Sequence, residues 1–208
     1  MADRRAVVQS AVRRRYRKGD SVFHAGDQGD SIHLIVKGRV AIQVVTTAGD
    51  TATLNLLGAG ESFGELALVS DGIRSATVVA IEPLETLTLS HRDVDHLRDA
   101  NPAVQRFLID VLADQVARLS RRVMEAHFVS AEQRVVRRLA DTTRLFADSG
   151  DAVAATVPLT QEQLAGLAGT TRPTANRVLQ ELAAHGIVAI GRGRIDILDH
   201  IALDRRAR

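Results

Sequence analysis

At Asn101-Pro102 the sequence changes its hydrophobic period, and that change limits what the chain can fold into. Before it, from Tyr16 to Leu89, short runs rich in β-branched residues (Ile32 to Val36, Val40 to Val45, Thr77 to Ile81) are separated by turns marked with Gly and Asp. This is the pattern of an all-β unit, and Asp93 to Asp99 is expected to add a short helix. After it, Leu108, Leu112, Val116, Leu119, Val123 and Ala126 follow at spacings of 4, 4, 3, 4 and 3, a near-heptad seam. Asn101 reads as a helix N-cap and Pro102 as the first helical residue, where a missing N–H costs nothing. A helix about 37 Å long is expected from there. Its seam either packs on the chain's own β-unit or meets a second copy across a two-fold axis.

Ser130-Ala131-Glu132-Gln133 is a capping box, so a new helix should start at about Ala131, after a bend near Phe128 to Ser130. Val135, Val136, Leu139 and Phe146 give it an apolar face, and Asp148 to Asp151 reads as a polar turn. A second box, Thr160-Gln161-Glu162-Gln163, opens a short helix with Leu164, Leu167 and Ala168. Ala165 and Gly169, four apart, suit a helix-turn-helix: a small residue at the crossing and a glycine where the turn calls for positive φ. In the next helix Ala175, Val178, Leu179 and Leu182 face a core, while Arg172, Pro173, Asn176, Arg177 and Gln180 lie on the other side. Ile187 to Ile190 and Arg194 to Leu198 around Gly191-Arg192-Gly193 read as a β-hairpin wing.

The stretch Phe63 to Thr77 carries the second body of chemistry. Glu65 offers an acceptor-only carboxylate and Arg74 a forked cation, which suits a ribose hydroxyl beside a cyclic phosphate. Gly64 leaves backbone N–H groups open to close approach by phosphate oxygens. A surface ion pair between Glu65 and Arg74 is the plainer alternative.

Gly64-Glu65-Leu66-Ala67-Leu68 followed by Arg74-Ser75-Ala76 resembles the phosphate-binding cassette of cyclic-nucleotide-binding domains. Lys18-Gly19-Asp20, Gly26-Asp27, Asp30-Ser31 and Gly38-Arg39-Val40 match the turns of the same β-roll. With the helix-turn-helix downstream, the chain resembles the Crp/Fnr superfamily of bacterial transcription regulators over roughly residues 14 to 200. The resemblance implies an α+β architecture. An effector domain with its dimerisation helix (about 101–129) would occupy 1–129, and a winged helix-turn-helix domain 130–208. It implies an allosteric homodimer on a palindromic duplex operator, with RNA polymerase as a further partner.

Carried over by motif, Gly64, Glu65, Leu66, Ala67, Arg74 and Ser75 are ligand contacts. Arg172 and Arg177 match base-contacting arginines, able to bond guanine O6 and N7. Thr171 and Thr174 match phosphate contacts, and Thr160, Asn176, Arg192 and Arg194 join them as candidates. Pro173 stands where cyclic-AMP-responsive members carry a glutamate that accepts from cytosine N4, so the operator should differ at that base pair. Guanine-containing half-sites about one helical turn apart are expected. Val123 and Met124 align with a Thr-Ser pair that bonds adenine in those members, and neither has a strong hydrogen-bonding group. Cyclic AMP and cyclic GMP both remain candidate effectors, with a cyclic dinucleotide, haem or no effector as alternatives. His24, His33, His91, His96 and His127 are possible haem ligands without a telling spacing.

Composition sets bounds on these readings. A chain of 208 residues with 45% hydrophobic content holds one domain or two small ones. Without cysteine it has no disulfide, thiolate zinc site or cysteine-ligated iron–sulfur cluster, and no other metal motif is present. Residues 1–129 carry 16 basic and 16 acidic side chains against 11 and 9 beyond, a small C-terminal excess within the net charge of +2. One Tyr, five Phe and no Trp favour a duplex over a single strand as nucleic-acid partner. No membrane-length apolar run or signal-peptide core is present, so the cytoplasm is the expected location. Neither a nucleophile–base arrangement nor a phosphate loop points to an enzyme.

Overall fold

The computed structural model describes residues 11–46, 49, 51–69, 72–100, 102–147 and 155–208. The expected N-cap Asn101 and the turn Asp148 to Asp151 lie outside the described residues, as does the side chain of Leu108. Packing divides the chain into two compact units. One holds the residues up to Val44 with Asn55–Ser120, and the other holds Val45–Leu54 with Arg121–Arg208. The boundary expected at 129/130 falls just past the end of the long helix, whereas the packing divides the chain inside that helix.

The first unit is built from strands β1 (Val12–Tyr16), β2 (Ser21–Phe23), β3 (Ser31–Lys37), β6 (Ser62–Phe63), β7 (Thr77–Ala80) and β8 (Leu84–Ser90). It also takes the larger parts of β4 (Val40–Val45) and, from Asn55, of β5 (Thr51–Leu57). Two four-stranded sheets run in the orders β1-β8-β3-β6 and β2-β7-β4-β5. Ile35, Val40, Leu57, Phe63, Val78, Ala80 and Leu84, drawn from both sheets, form the buried core. Alternation along β8 turns Leu84, Thr86 and Thr88 inward. The threonines are tolerated because Thr88 Oγ1 bonds His33 Nδ1 at 3.1 Å, and the His33 ring stacks on Phe63 with centroids 4.9 Å apart. His33, one of the candidate haem ligands, is thus a hydrogen-bonded core residue. Burial, with Arg74 and Arg14 next in effect, lowers its pKa from 6.5 to about 4.

A four-residue helix, α1 (Leu66–Val69), interrupts the sheets, and α2 (His91–Ala100) follows them, slightly longer than the expected Asp93 to Asp99. The long helix α3 (Pro102–Phe128) runs through the boundary between the units, and α4 (Ala131–Phe146) follows the expected bend. Ile109, Val116, Leu119, Val123, Met124 and Phe128 are each more than half exposed on α3, so three residues of the expected seam present an apolar surface.

In the second unit α4 packs with β9 (Ala155–Val157), α5 (Gln161–Ala168), α6 (Arg172–Ala184), the hairpin β10 (Val188–Gly191) and β11 (Arg194–Ile197), and α7 (His200–Ala207). Leu139, Leu159, Leu164, Leu179, Leu182, Ile195, Ile197 and Leu203 fill its core. The wing has a third strand, since β9 pairs antiparallel with β11. The tip of the β4–β5 hairpin belongs to this unit: Arg122 Nη1 donates to the Leu54 carbonyl at 2.8 Å. A β-carbon at Gly166 would lie 3.1 Å from the Thr53 nitrogen and 3.2 Å from its carbonyl oxygen. Among the described residues no helix is long and apolar enough to cross a membrane.

Candidate functional site

The cassette forms where two loops of the first unit are stitched together. Gly26 N–H donates to the Arg74 carbonyl at 2.8 Å, Arg74 N–H to the Asp27 carbonyl at 2.9 Å, and Gly29 N–H to the Gly72 carbonyl at 2.6 Å. Gly64, at φ +89°, turns the chain between β6 and Glu65 in a conformation that residues with a Cβ rarely adopt. Arg74 is drawn inward from this frame. Its Nη1 donates to the carbonyls of Ser31 (2.8 Å) and Gly64 (2.9 Å), its Nη2 to Ser31 Oγ (3.0 Å), and its guanidinium lies 4.1 Å from the Phe23 ring centroid.

Glu65 and Arg74 are only 5% and 4% exposed, and no ion pair joins them among the described residues, so the surface-ion-pair alternative does not describe them. Glu65 Oε2 and Arg74 Nε are both buried without a hydrogen-bond partner among the described residues. Burial pushes the Glu65 carboxyl up from 4.5, with its own backbone amide, Arg118 and Arg74 opposing. Burial lowers the Arg74 guanidinium's pKa, with Asp30, Glu65 and Asp27 opposing. One orphaned acceptor and one orphaned donor in a buried loop are the complement of a ligand that carries both a hydroxyl and an anion.

The other ligand candidates divide. Gly64 and the buried Ala67 belong to the cassette wall, whereas Leu66 and Ser75 are exposed beside it. Val123 and Met124 belong to the second unit, exposed on α3. Three contributors carried no local signal as site residues. Ser31 and Phe23 reach Arg74 from far along the chain, and a β-carbon at Gly29 would fall 2.3 Å from that of Ala67 and 3.0 Å from Arg74 Cδ.

In the second unit the helix-turn-helix is assembled from α5 and α6. The Thr160 box is complete, with both reciprocal bonds made, and the turn passes through Gly169 at φ +60°. At Ser130 only half of the expected box forms. Its Oγ accepts from Gln133 N–H, but the Gln133 amide donates to the Arg206 carbonyl at the end of α7. On α6, Ala175, Val178, Leu179 and Leu182 are buried. Arg172, Pro173 and Arg177 are exposed, and Thr174 and Asn176 are half-buried. Thr171 and Thr174 share a hydroxyl–hydroxyl bond of 3.1 Å. At the wing tip Arg192 is exposed, while Arg194 Nε pairs with Asp196 at 3.2 Å.

Arg134 is the residue of this unit that sequence reasoning passes over. Its Nε donates to the Ala168 carbonyl (2.9 Å), Nη2 to the Gly169 carbonyl (3.0 Å) and Nη1 to the Val129 carbonyl (2.8 Å). One side chain thus closes the C-terminus of α5 and fastens the bend between α3 and α4. Across that bend Glu125 pairs with Arg138 and, at 3.6 Å, with Arg137.

Comparison with known proteins agrees with both halves of this geometry. Residues 13–101 match the family model of the cyclic nucleotide-binding domain, and residues 133–206 match that of the Crp-like helix-turn-helix domain. The cyclic AMP receptor protein of Thermus thermophilus is 33% identical over 195 residues, covering 94% of this chain and 88% of its own length. The crystal structure of the Thermus thermophilus catabolite activator protein superposes with a TM-score of 0.57 at 32% identity, covering 99% and 94% of the two chains. The c-di-GMP-responsive global regulator of Xanthomonas campestris shares the fold, with a TM-score of 0.77 at 24% identity over 94% and 98% of the two chains. The chain therefore belongs to the Crp/Fnr superfamily, as a DNA-binding transcription regulator whose helix-turn-helix follows a cyclic nucleotide-binding domain.

Proposed function

We propose that this regulator senses a cyclic mononucleotide held chiefly by its sugar-phosphate, and that the liganded homodimer binds a palindromic operator. The orphaned Glu65 Oε2 and Arg74 Nε carry this reading: a ribose hydroxyl would donate to the first, and a cyclic phosphate would accept from the second. Gly64 and Ala67 belong to the same cassette, with Ser75 exposed beside it. Val123 and Met124, which align with the adenine-bonding pair of cyclic-AMP-responsive members, carry no strong hydrogen-bonding group. The cyclic AMP receptor protein among the relatives makes cyclic AMP the first effector to test. The exposed apolar residues of α3 support pairing with a second copy, and the role of relatives as global transcriptional regulators supports RNA polymerase as a further partner.

Calorimetric titration with cyclic AMP, cyclic GMP and cyclic di-GMP tests the reading, with Arg74→Ala as control. Both mononucleotides should bind. They should be discriminated by less than the roughly 30-fold that two neutral hydrogen bonds of about 1 kcal/mol each would supply. Arg74→Ala should abolish binding of both. Binding of cyclic di-GMP alone, or cyclic-nucleotide binding that survives Arg74→Ala, would overturn the assignment.

A further inference from the structure

Arg177 stands on the exposed face of α6, yet its guanidinium is already engaged. Nη2 donates to Glu132 Oε1 at 2.5 Å, and Nη1 reaches Glu181 Oε1 at 3.4 Å. Glu181 is an ordinary i,i+4 neighbour, but Glu132 comes from the first turn of α4, 45 residues earlier. Arg172, on the same face of α6, has no ion pair among the described residues. The backbone amide of Glu132, then Arg177 and Ser130, hold its carboxyl below the ordinary 4.5, and the helix N-terminus favours the negative charge. Bidentate reading of guanine O6 and N7 needs two N–H groups of one guanidinium fork. Each terminal nitrogen gives an N–H to a carboxylate, and Glu132 holds its one at 2.5 Å, so a base that takes the terminal fork competes with Glu132 for it.

We propose that Glu132 is an internal competitor of the operator for Arg177 and thereby sets sequence discrimination at the base pair that Arg177 reads. A guanine offering two acceptors displaces the carboxylate, whereas a base pair offering fewer leaves Arg177 on Glu132. The proposal rests on the reading of Arg177 as a base-contacting residue, and the experiment separates the two.

A duplex enriched from a random pool by the wild-type protein serves as probe, alongside versions in which each half-site guanine is replaced by adenine. Fluorescence anisotropy compares the wild type with Glu132→Gln, Glu132→Asp, Arg177→Ala and the Glu132→Asp/Arg177→Ala double variant. Glu132→Asp keeps the charge at the start of α4 but shortens its reach by one methylene, so it separates the ion pair from the helix terminus and from general repulsion of phosphates. Glu132→Gln and Glu132→Asp should each tighten binding about two- to fivefold, the scale of an ion pair between exposed side chains. Both should also widen the gap between the selected and substituted duplexes, because the wild type gives up the ion pair only on the guanine that Arg177 reads. In the Arg177→Ala background Glu132→Asp should change neither. Glu132→Asp that binds and discriminates like the wild type, or that tightens binding equally in both backgrounds, would overturn the proposal. Arg177→Ala binding like the wild type would overturn the base-contact reading, and the proposal with it.

Discussion

Burial raises the Glu65 carboxyl above 4.5, so the side chain that would receive a ribose hydroxyl ionises against its surroundings. The folded protein holds this proton more tightly than the unfolded chain. Ionisation therefore costs the ligand-free fold stability as pH rises from 4.5 through the raised value. Ligand binding has the opposite sign, because an ionised acceptor is what the hydroxyl needs. The dissociation constant for a cyclic nucleotide should rise as pH falls through the raised value, and Glu65→Gln should bind more weakly with a flattened profile. Calorimetry across that range checks it, and an unchanged profile in Glu65→Gln would remove Glu65 from the site. His33, whose pKa is lowered to about 4, is mostly neutral over this window. The stability that its neutral form contributes, complete above 6.5, is lost as pH falls through about 4. Glu65 and Arg74 were legible because the cassette is a contiguous motif. Ser31, Phe23 and Gly29 were not, because their part depends on the fold bringing Arg74 to a strand 43 positions away.

The helices were the most legible elements, since their apolar periods and caps are local. The failures share one cause, a partner distant in sequence. Gln133 was expected to close its own box, but the end of α7 offers a carbonyl at 2.8 Å. The three-residue β9 exists through pairing with β11, and α7 announces itself only by Asp199, whose carboxylate accepts from Ala202 N–H at 2.8 Å. Arg134 belongs with these. Its three bonds use Nε and both terminal nitrogens, a fork that lysine cannot reproduce. Arg134→Ala should destabilise the second unit by on the order of 2 kcal/mol, the scale of charge-assisted bonds to half-buried carbonyls. Arg134→Lys should recover less than half of that. Urea unfolding with matched m-values measures both, and an Arg134→Lys variant as stable as the wild type would show that charge alone suffices.

At the scale of the whole molecule, the exposed stripe on α3 is the feature that the isolated chain leaves unexplained. Val116, Leu119 and Val123 recur at spacings of 3 and 4, the seam of a paired helix. Val116→Asp/Leu119→Asp should turn a dimer into a folded monomer by light scattering. It should also weaken operator binding by at least 100-fold, because each half-site would then be held independently. A double variant that stays dimeric would place the interface elsewhere. Domain organisation was only partly legible, because the hydrophobic pattern follows the order of the chain and the packing does not. Val45–Leu54 lies in the β-rich half of the sequence, but it packs with the DNA-binding half. The chain therefore crosses between units three times, after Val44, Leu54 and Ser120. A chimaera joined to another sensor at a single point near residue 130 would leave behind the strand end whose backbone rests against Gly166. A faithful transplant has to carry two separate stretches of sequence, which makes this protein a poor source of interchangeable parts despite its two-part plan.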